Sequence, residues 1–389
     1  MEGKRLIEKI NLRNILSFGD KGEEIELQPL NIIIGQNASG KSNLVDAIRL
    51  LRSLPQDKGL ANFFSKNGGK NEWFWRGRKK EKANSVIGVT LEISRGFDQT
   101  FTDYEIDFED DLLFGLSIND ERIRMPKDKT SYVSFNREGI LSENFEKKIT
   151  FDDSIIGKVD FITIDEKHYG FYSIENGLKE IRVYSDLQTN RQSEIRRPQI
   201  INALRGFLEE DGSNLSLVLN DLERKGNIKD KIIENLKKFY SRAKDYSFEF
   251  SGEYIQLYLR EENLEKAISA NRLSDGTLRY LCLLAILCHP EPPPLICIEE
   301  PETGLHPDIL PTIAELMIEA SQRTQLIVTT HSDILVSAFS EIPEAVLVCE
   351  KDEDGTHFKR LEKDKLKAWL AEYELGDLWL KGEIGGKRW

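Results

Sequence analysis

The segment Leu30-Asn-Ile-Ile-Ile-Gly35-Gln-Asn-Ala-Ser-Gly40-Lys41-Ser42 decides the fold of this chain. It opens with a short apolar run, which is typical of a buried β-strand. The following residues match G-x-x-x-x-G-K-[ST], a pattern in which glycine-rich backbone curls around phosphate groups and the lysine reaches them. From Lys41 to Arg52 the apolar residues recur at helical spacing. Strand, glycine-rich turn and helix in this order predict a nucleotide-binding loop.

Each part of this loop has an expected chemical role. Lys41 brings a positive charge to the β- and γ-phosphates, Ser42 offers a hydroxyl to Mg²⁺, and the start of the helix adds its dipole. The predicted nucleotide-binding residues are Gly35, Gln36, Asn37, Ala38, Ser39, Gly40, Lys41, Ser42 and Asn43.

A pair of acidic residues follows a second apolar run. In Leu295-Ile-Cys-Ile-Glu299-Glu300-Pro301 the two acids stand where a buried strand leaves the core. Carboxylates desolvated at such a place are costly without a cation to balance them. We expect Glu299 to bind Mg²⁺, through water, and Glu300 to orient or deprotonate the attacking water. The alternative is a solvated turn.

Two further motifs extend the pattern. Leu273-Ser-Asp-Gly276-Thr precedes a long apolar helix, and Thr329-Thr-His331-Ser follows a short apolar run. In this order and spacing the chain resembles the ABC-type ATPases of the SMC, RecF and OLD group. The resemblance implies an α/β fold of the P-loop NTPase, ABC/RecF-like type, in which a mixed sheet core with helices carries a strand-rich and helical insertion. The chain departs from the family at Asp275, where a second glycine is usual.

The resemblance also implies roles for individual residues. Ser274 and Gly276 match the signature motif, which contacts the γ-phosphate of ATP bound by the other protomer of a head-to-tail dimer. His331 matches the switch histidine and would be catalytic together with Glu300 and Lys41. The implied ligands are ATP and Mg²⁺, and the implied assembly is a homodimer or higher homo-oligomer. No glutamine is assigned to the lid position.

The implied function is ATP hydrolysis coupled to a response directed at DNA or at a separate effector protein. The resemblance extends to single-chain ATPases of bacterial phage-defence operons, where an effector protein accompanies the ATPase. A RecF-like DNA-repair ATPase remains an alternative, as does a non-hydrolysing, ATP-held scaffold that sequesters an effector. Heptads do not persist, so no coiled-coil arm is expected. The segment after His331 is too short for the Toprim domain of OLD nucleases.

Composition bounds these interpretations. The 389 residues include 54 Lys and Arg against 67 Asp and Glu, a net charge of −13. This length, with 39% hydrophobic and 31% charged residues, excludes a disordered tail or a disulfide-stapled miniprotein. The negative charge argues against nonspecific nucleic-acid coating by the whole surface, and it leaves room for one local basic patch. No apolar run reaches membrane-spanning length and no signal segment is apparent, so we expect a cytoplasmic protein without membrane contact. The four cysteines lack C-x-x-C spacing, which predicts reduced core thiols.

The pattern along the chain predicts four regions. Residues 1–100 form the N-terminal part of the ATPase head, 101–245 a strand-rich and then helical insertion, 246–350 the C-terminal part of the head, and 351–389 a tail. Short alternating runs, including Tyr172-Ser-Ile-Glu, predict strands between about 85 and 185.

Three surface groups stay open at this stage. The stretch from Trp73 to Lys82 mixes aromatic and basic residues, which suits either a nucleic-acid contact or a solvated charge run with buried tryptophans. The cluster of Arg191, Arg196 and Arg197 favours a solvated face. The tail either docks on its own head or binds a partner, since it holds three of the five tryptophans: Trp369, Trp379 and Trp389.

Overall fold

The computed structural model describes residues 3–77, 84–95, 98–111, 115–124, 132–136, 139–142, 145–147, 154, 156, 169–201, 206–225 and 227–386. The chain forms two compact units, each built from segments distant in sequence. Unit 1 consists of Met1–Lys4, Arg182–Pro343 and Glu362–Lys381. Unit 2 consists of Arg5–Ile181, Glu344–Leu361 and Gly382–Trp389. The predicted region boundaries near 100, 245 and 350 stay predictions.

The described residues contain both strands and helices. The strands are β1 Ile7–Arg13, β2 Glu23–Glu26, β3 Leu30–Gly35, β4 Ser85–Arg95, β5 Asp98–Asp111, β6 Gly115–Arg124, β7 Tyr132–Asn136, β8 Gly139–Ser142, β9 Phe145–Lys147, β10 Arg182–Tyr184, β11 Gln199–Ile200, β12 Ala243–Ser251, β13 Tyr254–Glu261, β14 Ile268–Ser269, β15 Leu295–Glu299, β16 Gln325–Thr329, β17 Val346–Lys351 and β18 Thr356–Arg360. The helices are α1 Lys41–Ser53, α2 Gly59–Lys66, α3 Tyr169–Lys179, α4 Leu215–Glu223, α5 Ile228–Phe239, α6 Asp275–Leu287, α7 Leu310–Ala320, α8 Asp333–Ser337, α9 Lys363–Leu370 and α10 Leu375–Lys381.

Unit 2 holds the predicted phosphate loop between a strand and a helix. Strand β3 is buried along its whole length and pairs in parallel with β17, which pairs antiparallel with β18. Helix α1 follows the loop and buries Leu44, Val45, Ile48 and Leu51 on one side. A second sheet runs in the order β2-β1-β4-β5-β6-β7-β8-β9. The order of buried strand, loop and amphipathic helix is the one that the sequence predicts.

Unit 1 places the predicted acidic residues at the end of a parallel ladder. Strand β15 pairs in parallel with β10 and with β16, and Glu299 lies opposite Thr329 in the register. The residues after β15 and after β16 therefore meet at the same edge of this ladder, since the carboxyl ends of parallel strands coincide. Helix α6 is buried on almost every side, as its apolar run from Leu278 to Leu287 requires. A separate antiparallel sheet contains β11, β13, β12 and β14.

One secondary-structure prediction is wrong. Tyr172-Ser-Ile-Glu belongs to helix α3 and not to a strand. Four residues cannot distinguish the two periods, whereas Ile174 and Leu178, four residues apart, are both buried as one face of a helix. The predicted strands before it are present in the described parts of β4 to β9.

The part of the tail from Glu362 to Lys381 docks within unit 1. Trp379 is fully buried on α10, which packs against α8. The chain approaches α8 closely enough that a Cβ at Gly376 would lie 2.2 Å from the carbonyl oxygen of Asp333. Trp369 on α9 is 44% exposed, and Trp389 lies outside the described residues. The self-docking interpretation is confirmed for Trp379, and partner binding by the tail stays a prediction.

Two composition-based predictions bear on the interior and on membranes. All four cysteines are buried and free, as predicted. Burial raises the pKa of the Cys288 and Cys349 thiols to about 11, which keeps them protonated at neutral pH. Among the described helices, none combines the length and the apolar character needed to cross a bilayer.

Candidate functional site

The phosphate loop of unit 2 needs glycine at two positions. Gly35 and Gly40 have φ angles of +154° and +115°, where side chains with a Cβ are strained. A Cβ at Gly35 would lie 2.2 Å from the carbonyl oxygen of Cys349, and one at Gly40 would lie 2.3 Å from Thr356 Oγ1. The β17–β18 hairpin therefore supports the loop at a distance that only glycine allows.

Hydrogen bonds of buried hydroxyl groups hold the phosphate loop in place. Thr356 Oγ1 donates to the carbonyl oxygen of Ser39 at 2.7 Å and forms a hydrogen bond of 2.6 Å with Ser17 Oγ. The backbone N–H of Thr356 also donates to the Ser17 carbonyl oxygen at 2.9 Å. Sequence reasoning missed Thr356, because it stands more than 300 residues away from the loop that it holds. No local pattern at Thr356 could have revealed this contact.

Lys41 is poised for a change of partners. Its ammonium donates to the carbonyl oxygens of Gly35 and Gln36, at 2.9 Å in both cases, and the residue is only 6% exposed. A buried ammonium without a full set of acceptors is costly, so the loop carbonyls stabilise it. Phosphate oxygens can replace those carbonyls, while Ser42 stands exposed at the start of α1. The observed loop thus fits a bound polyphosphate.

The acidic strand end of unit 1 has an unusual backbone. Glu300 has a φ angle of +46°, in the left-handed region, and its N–H donates to the Thr329 carbonyl oxygen at 2.9 Å. A residue with a Cβ in this region costs about 1–2 kcal/mol, and such strain concentrates at functional sites. Glu299 Oε2 accepts a hydrogen bond of 2.6 Å from Ser185 Oγ, just beyond the neighbouring strand β10.

Glu300 and His331, predicted to act together, are neighbours in unit 1. His331 Nε2 lies 3.6 Å from Glu300 Oε1. Glu302, which the sequence analysis did not assign, holds the histidine segment: its Oε1 accepts hydrogen bonds from the Thr330 hydroxyl at 2.8 Å and the His331 N–H at 2.7 Å. Burial raises the pKa of Glu302, although these two donors oppose the shift. The Glu-Glu-Pro-Glu run was the signal that could have revealed it.

The signature motif forms the start of helix α6. Ser274 is the N-cap, and its Oγ accepts a hydrogen bond of 3.0 Å from the Thr277 N–H. A Cβ at Gly276 would lie 3.0 Å from the carbonyl oxygen of Gly304, so the helix start and the segment after Glu302 approach closely. Arg279, two residues beyond Thr277, donates through Nη2 to the Glu300 carbonyl oxygen at 3.3 Å. The N-terminal part of α6 thereby contacts the acidic strand end.

The prediction that the arginine cluster forms a solvated face is wrong for one residue. Arg191 and Arg197 are exposed, but the side chain of Arg196 is only 4% exposed. Burial of its guanidinium is tolerated because backbone carbonyl oxygens accept its hydrogen bonds, among them that of Leu273 at 2.7 Å. Charge spacing alone does not reveal an arginine that is buried among backbone carbonyl oxygens.

The aromatic and basic stretch is described only in part. Trp73 is 6% exposed, and Arg76 pairs with Glu72 at 2.6 Å. Buried tryptophan therefore accounts for one element of this stretch. Its remaining basic residues, Arg78, Lys79, Lys80 and Lys82, lie outside the described residues, and the nucleic-acid interpretation stays open.

The two predicted metal ligands, each taken by itself, are of residue types that suit Mg²⁺. Within the described residues no group of three or more His, Cys, Asp or Glu side chains is arranged to hold a metal ion. Mg²⁺ bound with a nucleotide does not require one, because it takes one or two protein oxygens and completes its shell with phosphates and water. The Ser42 hydroxyl and the Glu299 carboxylate are oxygen donors of this kind.

Comparison with known proteins identifies the family. The model of the family described as "AAA domain, putative AbiEii toxin, Type IV TA system" matches residues 30–337, most of the chain. This chain belongs to that family of AAA ATPases. No curated protein matches it at a significant level.

Solved structures agree on the fold. An Smc head bound to the C-winged helix domain of ScpA has a TM-score of 0.55 and 14% identity, covering 92% of this chain and 99% of that chain. An Smc head with an extended coiled coil from Pyrococcus furiosus, bound to the C-terminal domain of ScpA, has a TM-score of 0.54 and 14% identity, covering 94% and 99%. A head with coiled coil and joint from Pyrococcus yayanosii gives 0.50 and 11%, covering 94% and 99%. At such identities the likeness shows the fold alone, and it confirms the predicted α/β fold of the P-loop NTPase type.

Proposed function

We propose that this chain binds ATP with Mg²⁺ and hydrolyses it to ADP and phosphate. The observation that carries the proposal is the buried ammonium of Lys41, folded onto the carbonyl oxygens of Gly35 and Gln36 in a loop that two glycines and Thr356 hold in place. The match to a family of AAA ATPases supports it. The nucleotide-binding residues are those from Gly35 to Asn43.

The proposal assigns one step to each polar group. Lys41 exchanges its carbonyl partners for the oxygens of the β- and γ-phosphates, while the backbone of the loop binds the remaining charge. Glu300 accepts a proton from the attacking water, and His331 contacts the γ-phosphate. Ser42 and Glu299 would hold Mg²⁺, which supplies charge neutralisation at the phosphates. The short separation of Glu300 and His331 supports their joint action.

Turnover of the Glu300→Gln variant tests the assignment of the base. Because this change removes the proton acceptor and keeps the side-chain volume, we expect phosphate release to fall by about 10²–10⁴-fold while ATP affinity stays close to that of the wild type. Lys41→Met is the control for binding and should lose ATP affinity. Equal turnover of wild type and Glu300→Gln would contradict the assignment.

We further propose that ATP holds two copies of the chain together, with Ser274 and Gly276 of one copy facing the γ-phosphate of the other. The exposure of Ser274 at the N-terminus of α6 supports this, since the helix end is a favourable place for anionic groups. Molecular mass of Glu300→Gln in solution should double with ATP and not with ADP. A mass independent of nucleotide would contradict the dimer.

The response coupled to hydrolysis is directed, in our proposal, at a separate effector protein or at DNA, with phage defence as the setting. Two similar Smc heads are complexes with a domain of ScpA, which supports a protein partner for this fold. Stimulation of turnover by linear double-stranded DNA would favour the RecF-like repair alternative. Negligible turnover in a stable assembly would favour the non-hydrolysing scaffold.

A further inference from the structure

Arg196 is a buried cation in unit 1, and all three of its guanidinium nitrogens donate hydrogen bonds. Its side chain is only 4% exposed. Nε donates to the carbonyl oxygens of Thr189 at 2.9 Å and Asn190 at 3.0 Å. Nη1 donates to the carbonyl oxygens of Ala270 at 3.3 Å, Asn271 at 3.2 Å and Leu273 at 2.7 Å. Nη2 donates to Asp275 Oδ1.

The partners of Arg196 lie on two segments that are far apart in sequence. One is the turn at 189–190, and the other is the turn at 270–275 that leads into helix α6. The second turn carries Ser274, the cap of that helix. One guanidinium thus joins the signature turn to the segment that follows β10.

The same segment also reaches the acidic strand end. Ser185, just beyond β10, donates to Glu299 Oε2 at 2.6 Å. The stretch from 185 to 196 therefore contacts both the proposed Mg²⁺ carboxylate and the signature turn, within one unit. Arg196 is therefore one link between the signature turn and the acidic strand end, beside the direct contact that Arg279 makes with the Glu300 carbonyl oxygen.

This arrangement explains why an acidic residue stands at position 275. It is the first residue of α6, its side chain is 65% exposed, and it pairs with Arg196. A carboxylate at a helix N-terminus also interacts favourably with the helix dipole. The residue that departs from the usual glycine of the signature motif is the charge partner of the buried arginine.

We propose that Arg196 is a positioning residue for the signature turn, with Asp275 as its charge partner. The planar fork of the guanidinium suits this task, because it donates in several fixed directions at once and a lysine ammonium does not. Arg196 sets the place of Ser274, and so acts on ATP-dependent association rather than on ATP binding by Lys41. This effect on association rests on the proposed function, whereas the effect on the turn does not.

Hydrogen–deuterium exchange of the full chain tests the placement without ATP. The amides of Leu273 and Thr277 bond to the Ala270 carbonyl oxygen and to Ser274 Oγ, so they report on the turn. We expect Arg196→Met to speed exchange at these amides by at least about tenfold, since the turn loses several charge-assisted hydrogen bonds at once. Arg197→Met, an exposed neighbour, is the matched control and should exchange like the wild type. Unchanged exchange in Arg196→Met would overturn the proposal.

Arg196→Lys covers the case in which the methionine variant does not fold. It keeps the charge and loses the fork, so we expect exchange at Leu273 and Thr277 faster than in the wild type, with unchanged exchange in β3 and α1. Wild-type exchange at the two amides in Arg196→Lys would overturn the role of the guanidinium geometry.

ATP-dependent dimerisation of the chain, measured in the Glu300→Gln background, tests the functional consequence of the Arg196 contacts. We expect Arg196→Lys to weaken ATP-dependent dimerisation about tenfold and to leave the affinity of the chain for ATP unchanged, which a general loss of folding would not do. Asp275→Asn should weaken dimerisation less, and should add nothing to Arg196→Lys. If the parent itself does not dimerise with ATP, the proposed dimer fails, and the exchange result alone decides the role of Arg196. Equal loss of ATP affinity and dimerisation would overturn the positioning role.

Discussion

The phosphate loop of unit 2 and the acidic strand end of unit 1 are built by different means. In the loop, glycine backbone presses against the β17–β18 hairpin, and Lys41 bonds to carbonyl oxygens within its own motif. In the strand end, side chains hold one another: Glu302 bonds to the segment of His331, and Ser185 bonds to Glu299. Backbone geometry is local and leaves a motif in the sequence. Geometry made by distant side chains leaves a much weaker one.

The largest effect is expected where the backbone has no freedom. Gly40→Ala adds a Cβ only 2.3 Å from Thr356 Oγ1 at a φ of +115°. The backbone strain alone costs about 1–3 kcal/mol, and the clash adds to it, so we expect ATP binding to be lost. Titration with ATP and urea unfolding measure the two effects.

Gly69→Ala is the matched control for this loop variant. Gly69 also has a positive φ, +84°, but a Cβ there meets nothing within 4 Å. We expect a destabilisation of about 1 kcal/mol with normal ATP affinity. Similar ATP binding by the two variants would show that contact with the hairpin does not hold the loop.

The next effect is expected at the strand end. Glu302→Ala removes the acceptor of the Thr330 hydroxyl and the His331 N–H, and leaving buried donors unpaired costs about 1–3 kcal/mol. Turnover should fall with stability, because the His331 segment loses its support. Glu302→Gln keeps the acceptor oxygen and should retain most of the turnover. If the alanine and glutamine variants were equally impaired, the carboxylate charge rather than this hydrogen-bond geometry would be what matters.

A smaller effect is expected from the hydroxyl beneath the loop. Thr356→Val keeps the shape and removes the hydrogen bonds to Ser39 and Ser17, a loss of about 0.5–1.5 kcal/mol. ATP affinity should weaken a few-fold, as measured by titration. Thr356→Ser retains the hydroxyl and should restore the affinity. A valine variant with wild-type affinity would remove Thr356 from the account of the loop.

The smallest expected effect is a pH dependence of the free energy of unfolding. It arises from His357, the residue after Thr356. Burial lowers the pKa of His357. The hydrogen bond and charge of Glu23, together with the charge of Asp352, raise it by a larger amount, so the pKa lies above its usual value of 6.5. The stabilising contribution is therefore complete below pH 6.5 and is lost as pH rises through the higher folded value. Because the side chain is 39% exposed, we expect less than about 1 kcal/mol. Urea unfolding from pH 5.5 to 8.5 should show this decline in the wild type but not in His357→Gln.

The sequence was sufficient for the parts that depend on local pattern. The strand, loop and helix around Lys41 and the apolar runs of β15 and β16 could be predicted because their burial pattern repeats over a few residues. The contacts of Thr356, Glu302 and Arg196 could not, since each joins segments far apart in the chain and uses a residue type that is usually on the surface. Tyr172-Ser-Ile-Glu was misread because a helical face needs more than one turn to become visible.

The identity of the nucleotide that copurifies or remains bound after incubation with ATP and Mg²⁺ tests the central claim most directly. The claim is that Glu300 hydrolyses the ATP held by the loop of Lys41. We predict that rapidly desalted Glu300→Gln retains ATP, that the wild type retains ADP, and that Lys41→Met retains neither. If desalted Glu300→Gln retained ADP as the wild type does, the claim would be contradicted.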